Sequence, residues 1–220
     1  MKNSSTLLAV FATFLFSCGI PSFGAEPIGL INGKDLKGWV GTKNQDPASW
    51  KAYENFIEVV PGTGDIQTEQ VFNDFELHAE FWIPYLPEKT GQDRGNSGIF
   101  LRGRYEIQVL DTWENETYPD GICGALYKIL TPKFNASLPP ETWQTYDIRF
   151  IAPKVETDGK ILEPGELTVI LNGNLIIDRG HFEHPTGSAK KMKQGVPGPI
   201  RLQDHGSPVR FRNFFLKPLN

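Results

Sequence analysis

The sequence predicts an all-β protein, an antiparallel two-sheet β-sandwich of the jelly-roll type. Three observations predict this fold. Short segments alternate apolar and polar residues, glycine and proline are frequent (22 and 17 of 220 residues), and no segment shows a helical period of 3.6 residues. Short strands joined by Gly- and Pro-rich turns are typical of sandwiches and barrels. The net charge of −4 and the lack of a long basic run argue against a nucleic-acid partner.

The clearest predicted strand covers residues 75–83, in which apolar residues alternate with Glu76, His78 and Glu80. A period of two residues is typical of an antiparallel strand with one buried face. Asn172-Gly173 tolerates positive φ at both positions and predicts a two-residue hairpin turn. With shorter apolar runs, these signals predict strands at residues 56–60, 75–83, 99–110, 145–151, 167–171, 175–178, 200–204 and 209–216.

The first 24 residues predict a secretion signal. A positive charge at Lys2 precedes an apolar run at residues 7–16, which is too short to span a bilayer. The small residues of Ser22-Phe23-Gly24 favour cleavage before Ala25. We therefore expect residues 25–220 to form one β-sandwich domain that is exported to the periplasm or the medium.

A second interpretation of the N-terminus is a lipoprotein signal. Residues 15–18 form a loose lipobox, so that Cys18 would carry a lipid anchor. In either case Cys123 has no partner for an internal disulfide, and we expect it to be a buried structural thiol. No later segment approaches the length of a transmembrane span, and no protein partner can be inferred.

The predicted strand 99–110 separates polar from apolar side chains. If the backbone is extended after Gly98, alternate residues face opposite sides of the sheet. The inner face then carries Tyr105, Ile107 and Val109. The outer face carries Arg102, Arg104, Glu106 and Gln108. Such a polar face can bind a sugar, and it can equally be a solvated strand with a charge pair.

The C-terminal region repeats this alternation. Arg201, Gln203 and His205 share one face, with Leu202 on the other. Arg212 lies in a strand that we expect to pair with this one. Two such polar faces side by side predict a charged cleft for a small carbohydrate.

Several short motifs lie along the chain, and the first is Leu30-Ile31-Asn32-Gly33-Lys34-Asp35-Leu36-Lys37-Gly38-Trp39. This segment is similar to the opening of the 3-keto-disaccharide hydrolase family, although Leu30 replaces the usual Phe. The resemblance runs from about residue 28 to the end of the chain and implies a concanavalin-A-like sandwich that acts on 3-keto-glycosides. Cys123 replaces a small or polar residue. The other matching segments are 96–103, 105–111, 124–127, 143, 171–173, 202–206 and 209–213.

This resemblance implies a reaction in which the C3 ketone acidifies the proton on C2. A carboxylate removes that proton, the C1 substituent is eliminated, and water adds to the enone, so the net result is hydrolysis. Glu106 is the predicted base and His205 the predicted proton donor, while Arg102 or Arg212 and Gln108 would hold the enolate oxygen. The predicted substrate-binding residues are Arg102, Gln108, Gln203, Arg212 and Asp111.

Two other interpretations use overlapping residues. A carbohydrate-binding domain without catalysis would need an aromatic platform, for which the candidates are Trp82, Trp113 and Tyr118. We predict no cofactor, but a metal-dependent lyase would find acceptable ligands for a hard divalent cation. Those ligands are Glu106, Asp111 and His205.

Overall fold

The structure is a computed structural model that describes residues 26–219. The predicted secretion signal, its cleavage site before Ala25 and the alternative lipid anchor at Cys18 lie outside these residues. Within the described range there is no α-helix, and no helix is long and apolar enough to cross a membrane.

The described chain is built from β-strands and three short 3₁₀ turns. In chain order the strands are β1 (Ile28–Gly29), β2 (Trp39–Gly41), β3 (Lys51–Tyr53), β4 (Phe56–Glu58), β5 (Ile66–Thr68), β6 (Phe75–Trp82), β7 (Ser97–Leu101), β8 (Tyr105–Val109), β9 (Trp143–Ile151), β10 (Lys154–Val155), β11 (Ile161–Glu163), β12 (Gly165–Leu171), β13 (Asn174–Phe182), β14 (Arg201–Leu202) and β15 (Arg210–Pro218).

Two large antiparallel sheets confirm the predicted sandwich. The larger sheet has the strand order β13-β12-β9-β6-β15-β4-β3, with β1 paired to β15. The smaller sheet has the order β2-β5-β14-β7-β8. A separate hairpin joins β10 and β11. Positive φ angles of 52° and 76° at Asn172 and Gly173 form the predicted turn between β12 and β13.

The core lies between the inner faces of the two sheets. Along β6 buried and half-buried residues alternate, as the sequence predicts, with Phe75, Leu77, Ala79 and Phe81 turned inward. Aromatic contacts join the sheets, because the ring centroid of Tyr105 in β8 lies 5.3 Å from that of Phe150 in β9. Burial of these large rings provides the main stabilisation of a sandwich that has no disulfide within the described residues.

The segment 99–110 forms a hairpin and not the single strand that we expected. Strands β7 and β8 pair with each other, and Arg102 and Gly103 turn between them with φ angles of 53° and 67°. The amide of Arg104 closes the turn by donating to the carbonyl of Leu101 at 3.1 Å. The turn removes Arg102 and Arg104 from the strand face. In β8, Tyr105, Ile107 and Val109 belong to the core, as the alternation predicts.

The expected pairing of the last two strands is also wrong. Strand β14 belongs to the smaller sheet and pairs with β5 and β7, whereas β15 belongs to the larger sheet and pairs with β6, β4 and β1. Residues 203–209 connect the two sheets. A connection of that length does not have to be a tight hairpin between neighbouring strands. Arg212 therefore lies in a different sheet from Arg201.

Candidate active site

The outer face of the smaller sheet carries two rows of side chains. Strand register places Arg201, Phe100 and Glu106 opposite one another across β14, β7 and β8. Two residues further along, Gly98 of β7 pairs with Gln108 of β8. The carbonyl of Gly98 also accepts a hydrogen bond from the backbone amide of Gln203 at 3.0 Å. Residues two apart face the same side of a sheet, so these two rows form one surface.

Glu106 is a buried carboxylate on this surface, with 6% of its area exposed. Its pKa is raised from 4.5 to about 7. Burial is the main cause of the rise, the Asp65 charge adds to it, and the Arg201 cation opposes it. The backbone amide of Glu106 donates to the Thr186 hydroxyl at 2.9 Å, which ties the loop after β13 to the site. A carboxyl group with a pKa near neutrality can take up and release a proton at physiological pH.

Arg201 provides a partly buried cation on the same surface. Its guanidinium carbon lies 3.7 Å above the centroid of the Phe100 ring, and its Nε lies 3.7 Å from Asp65 Oδ2. Burial lowers the pKa of Arg201, while Asp65 and Glu106 raise it. Both Nε and Nη2 are buried and donate no hydrogen bond to a described residue. These donors are therefore oriented by stacking and remain available for a ligand oxygen.

The second row offers two buried hydrogen-bond acceptors. The Oε1 atoms of Gln108 and Gln203 are buried and accept no hydrogen bond from the described residues. The amide nitrogen of Gln108 donates to Gln92 Oε1 at 3.0 Å, which fixes the orientation of that side chain. Gly98 lets the Glu106 carboxylate and the Phe100 ring pack against the backbone of β7, because a Cβ at this position would lie 2.8 Å from Glu106 Oε1 and 3.2 Å from Phe100 Cε2. The carboxylate of Glu106 therefore lies over Gly98, in the row that holds both glutamines.

Two tyrosines adjoin the first row on the side away from Arg201. A bridge between Ile107 and Leu126 adds residues 126–127 to the edge of β8, and the amide of Tyr127 donates to the Glu106 carbonyl at 3.0 Å. The hydroxyls of Tyr127 and Tyr118 are 2.7 Å apart. Tyr127 thereby extends the row formed by Arg201, Phe100 and Glu106.

His205 lies at the rim of the site. It is exposed and borders an open cavity of about 420 Å³. Its charge acts on Asp65, whose pKa is raised by burial and lowered by hydrogen bonding to Asp204, by Arg201 and by His205. Glu106 does not line this cavity, whose lining residues are Glu88, Lys89, Thr90, Asp93, His205 and Gly206.

The structure does not bring Arg102, Arg212 and Asp111 to the surface around Glu106. Arg102, in the β7–β8 turn, donates to the carbonyl of Val196. Arg212 lies on the outer face of the larger sheet, where its Nε is 2.6 Å from Glu80 Oε2. Asp111 is buried, and its Oδ2 is 2.8 Å from the Nε of Arg94. The surface thus unites only three of the predicted residues directly, namely Glu106, Gln108 and Gln203, with His205 at its rim.

Comparison with known proteins identifies the family. The sequence model of the 3-keto-alpha-glucoside-1,2-lyase-like domain matches residues 26–217. The chain belongs to this family. The membership makes the protein carbohydrate-active and agrees with the resemblance seen in its motifs. A comparison with curated proteins gives no match.

Solved structures similar to this member of the 3-keto-alpha-glucoside-1,2-lyase-like family include three candidate glycosyl hydrolases from Parabacteroides distasonis. One is 34% identical, with a TM-score of 0.84 and complete coverage of both chains. A second is 20% identical, with a TM-score of 0.66, covering 90% of this chain and 94% of the other. A third is 21% identical, with a TM-score of 0.61, covering 89% and 100%. The second and third support the fold alone.

The structure separates residues on which the two alternative interpretations depend. Trp82 lies on the outer face of the larger sheet, under the guanidinium of Arg210 at 4.1 Å, so it cannot share a platform with Tyr118 beside Glu106. Among residues 26–219, no group of three or more His, Cys, Asp and Glu side chains could hold a metal ion. Glu106, Asp111 and His205 therefore do not form the ligand set that the sequence allowed.

Several residues of the site were not selected from the sequence. The alternation placed Arg201 on the correct face, but its contact with Phe100 depends on pairing between distant segments. Asp65 adjoins a strand of three residues, which is too short to show a pattern. Tyr127 belongs to a segment that resembles the family, and only the strand pairing places it beside Glu106.

Proposed function

We propose that this protein cleaves the glycosidic bond of 3-keto-glycosides, including 3-keto-disaccharides, with Glu106 as the base. The carboxylate removes the C2 proton, the C1–O bond breaks, and the leaving oxygen takes up a proton. Water then adds to the enone, with hydroxyl at C1 and the proton returned to C2. The observation that carries this proposal is a buried carboxyl group with a pKa of about 7 in one row with a cation whose donors are unused.

The pKa of Glu106 suits the removal of a weakly acidic proton. A base is most effective when its pKa lies near the working pH, because it is then both ionised and sufficiently basic. An ordinary Glu with a pKa near 4.5 is ionised at neutral pH but is a weaker base. Burial of Glu106 thus raises its basicity while leaving about half of it ionised at pH 7.

Arg201 supplies the charge that the enolate needs. Proton removal from C2 moves negative charge onto the C3 oxygen, and oriented donors in a buried site stabilise such charge strongly. The ring of Phe100 and the carboxylate of Asp65 hold the guanidinium on two sides. In this role Arg201 takes the place that the sequence interpretation assigned to Arg102 or Arg212.

The glutamine pair supports recognition of a sugar. The buried Oε1 atoms of Gln108 and Gln203 act only as hydrogen-bond acceptors, and the hydroxyl groups of a sugar are suitable donors for them. Arg201 offers only donors, which match a ketone or enolate oxygen. The surface therefore favours a ligand with an oxidised carbon at one side and hydroxyls at the other.

Turnover of matched substrates tests the proposal. The wild-type protein, Glu106→Gln and the control Glu54→Gln, at an exposed position, are incubated with 3-keto-trehalose and with unoxidised trehalose. We expect the wild type and the control to cleave only the 3-keto sugar. Turnover by Glu106→Gln should fall roughly two to four orders of magnitude while binding persists.

Two outcomes would contradict the proposal. Cleavage of unoxidised trehalose at a comparable rate would show that the C3 ketone is not needed. Binding of glycans by the wild type without any turnover would instead favour a carbohydrate-binding domain. Repeating the assay with a chelator shows whether the activity depends on a divalent cation.

We also propose that the protein acts outside the cytoplasm. The support is the signal-like sequence of residues 1–24, with its apolar run and small residues before Ala25. Mass spectrometry of the exported chain should find Ala25 at the N-terminus. A diacylated Cys18 would contradict this cleavage site and favour a lipid anchor.

A further inference from the structure

Tyr127 is the cross-strand neighbour of Glu106 on the side away from Phe100. The Ile107–Leu126 bridge places the two residues opposite each other, and side chains at such positions have Cβ atoms about 5 Å apart. Gly187 gives an independent measure of their approach. A Cβ on Gly187 would lie 3.7 Å from both Glu106 Oε2 and Tyr127 Cδ1, so these two atoms are within twice that distance of each other.

The hydroxyl of Tyr127 is paired with that of Tyr118 at 2.7 Å. One of the two hydroxyls donates to the other, so the accepting hydroxyl keeps its own hydrogen for a third group. Burial, the hydrogen bond to Tyr127 and nearby negative charges, including Glu106, raise the pKa of Tyr118. Tyr118 therefore keeps its hydrogen, and either hydroxyl can donate to the other. When Tyr118 donates, the hydrogen of Tyr127 is available for a third group.

Tyr118 is held in place from its other side. The Nζ of Lys128 lies 3.1 Å from the centroid of the Tyr118 ring, and the same Nζ is 3.1 Å from Asp120 Oδ1. These contacts fix the position of the phenol that is paired with Tyr127. The pair is thus a preorganised donor set on the same row as the base.

We propose that Tyr127 is the acid that protonates the leaving oxygen, an inference that rests on the proposed function. Glu106 takes the C2 proton, and the electron pair of the C2–H bond forms the enolate that Arg201 stabilises. As the C3=O bond forms again, this electron pair becomes the C1=C2 double bond. The electrons of the C1–O bond pass to the leaving oxygen, which takes the hydroxyl proton of Tyr127. The resulting phenolate accepts the hydrogen bond of Tyr118 and regains a proton from water.

This assignment differs from the one made for His205. His205 is exposed and borders a cavity that Glu106 does not line, whereas Tyr127 adjoins Glu106 directly. Tyr118 does not touch the leaving group in this scheme and is a positioning residue. Its role is to orient Tyr127 and to stabilise the phenolate.

Substrates with different leaving groups test the proposal. A sugar alcohol is a poor leaving group that needs a proton, whereas 4-nitrophenolate departs without one. The variants Tyr127→Phe and Tyr118→Phe are compared with the control Tyr53→Phe, in the larger sheet, on a 3-keto-disaccharide and on 4-nitrophenyl 3-keto-glucoside. Exchange of the C2 hydrogen with deuterated water is followed in parallel.

We expect Tyr127→Phe to lose roughly two to four orders of magnitude in kcat on the disaccharide and less than about tenfold on the nitrophenyl substrate. Its C2 exchange should persist, because Glu106 is unchanged. Tyr118→Phe should show the same preference with a smaller loss, roughly tenfold on the disaccharide. Tyr53→Phe should match the wild type on both substrates.

Equal losses by Tyr127→Phe on both substrates would overturn the assignment, as would an unchanged rate on the disaccharide. A wild type that shows neither turnover nor C2 exchange would refute the proposed function, and the role of Tyr127 with it. Turnover of both substrates with no leaving-group effect in any variant would refute the role of Tyr127 alone.

Discussion

Replacing Glu106 by Gln should stabilise the folded protein at neutral and alkaline pH. The folded state raises the pKa of this carboxyl group from 4.5 to about 7, so its ionised form is disfavoured by folding. Gln has similar size and no charge. The substitution therefore removes the cost of a buried negative charge while it removes the proposed base.

The size of the effect follows from the pKa shift. One pKa unit corresponds to about 1.36 kcal/mol, so ionised Glu106 costs the folded state about 3 kcal/mol. The folded protein binds the proton more tightly than the unfolded chain. Ionisation of Glu106 therefore lowers the free energy of unfolding as the pH rises from about 4.5 to about 7, and it has no further effect at higher pH.

Urea denaturation at several pH values measures this difference. Above about pH 8 the Gln variant should be more stable by about 3 kcal/mol, which corresponds to roughly 6–12 °C in Tm for a protein of this size. Below about pH 4 the two proteins should have equal stability. The control Glu54→Gln, in an exposed turn, should show no such pH-dependent gain. A Gln variant that is no more stable at pH 8 than at pH 4, relative to the wild type, would refute the reasoning.

Four other substitutions give distinct results. Arg201→Ala should raise the pH at which activity reaches half its maximum, because Arg201 lowers the pKa of Glu106. Asp65→Asn should lower this pH, because Asp65 raises that pKa. Profiles of kcat/KM against pH that shift in the same direction in both variants would contradict this. Gly98→Ala should reduce kcat/KM at least about a hundredfold with the fold retained, because its Cβ would lie 2.8 Å from Glu106 Oε1 and displace the carboxylate. Circular dichroism checks the fold, and full activity would show that the close approach of Glu106 to Gly98 is not needed. Arg212→Ala should leave kcat/KM within about twofold, since Arg212 is bonded to Glu80 on the other sheet, and should cost at most about 1 kcal/mol in urea denaturation; a large kinetic loss would place it in the site after all.

The sequence predicted the fold where local signals and tertiary packing agree. Residues 75–83 alternate over the whole of β6 because one face meets the core, and Asn172-Gly173 forms the turn that its residue types favour. The hairpin at residues 97–109 was missed because Arg102 adopts a positive φ, which is uncommon for a residue with a side chain. Alternation alone does not reveal such a turn.

The site was predicted in part for a related reason. Alternation places Glu106 beside Gln108, and Arg201 beside Gln203, on one face of each strand, and β7 joins the two strands. Alternation does not say which sheet a strand enters, so Arg212 was assigned to the wrong face. The neighbours that act on Glu106 across strands, such as Tyr127, depend on pairing that no local pattern encodes.

The central claim is that Glu106 removes the C2 proton of a 3-keto sugar, and hydrogen exchange at C2 tests it most directly. A non-cleavable 3-keto sugar, such as 3-keto-glucose, is incubated with the protein in deuterated water and followed by NMR. We predict that the wild type and Glu54→Gln exchange the C2 hydrogen with a rate that rises with pH through about 7, and that Glu106→Gln slows it roughly two to four orders of magnitude. Exchange at the wild-type rate in Glu106→Gln would contradict the account.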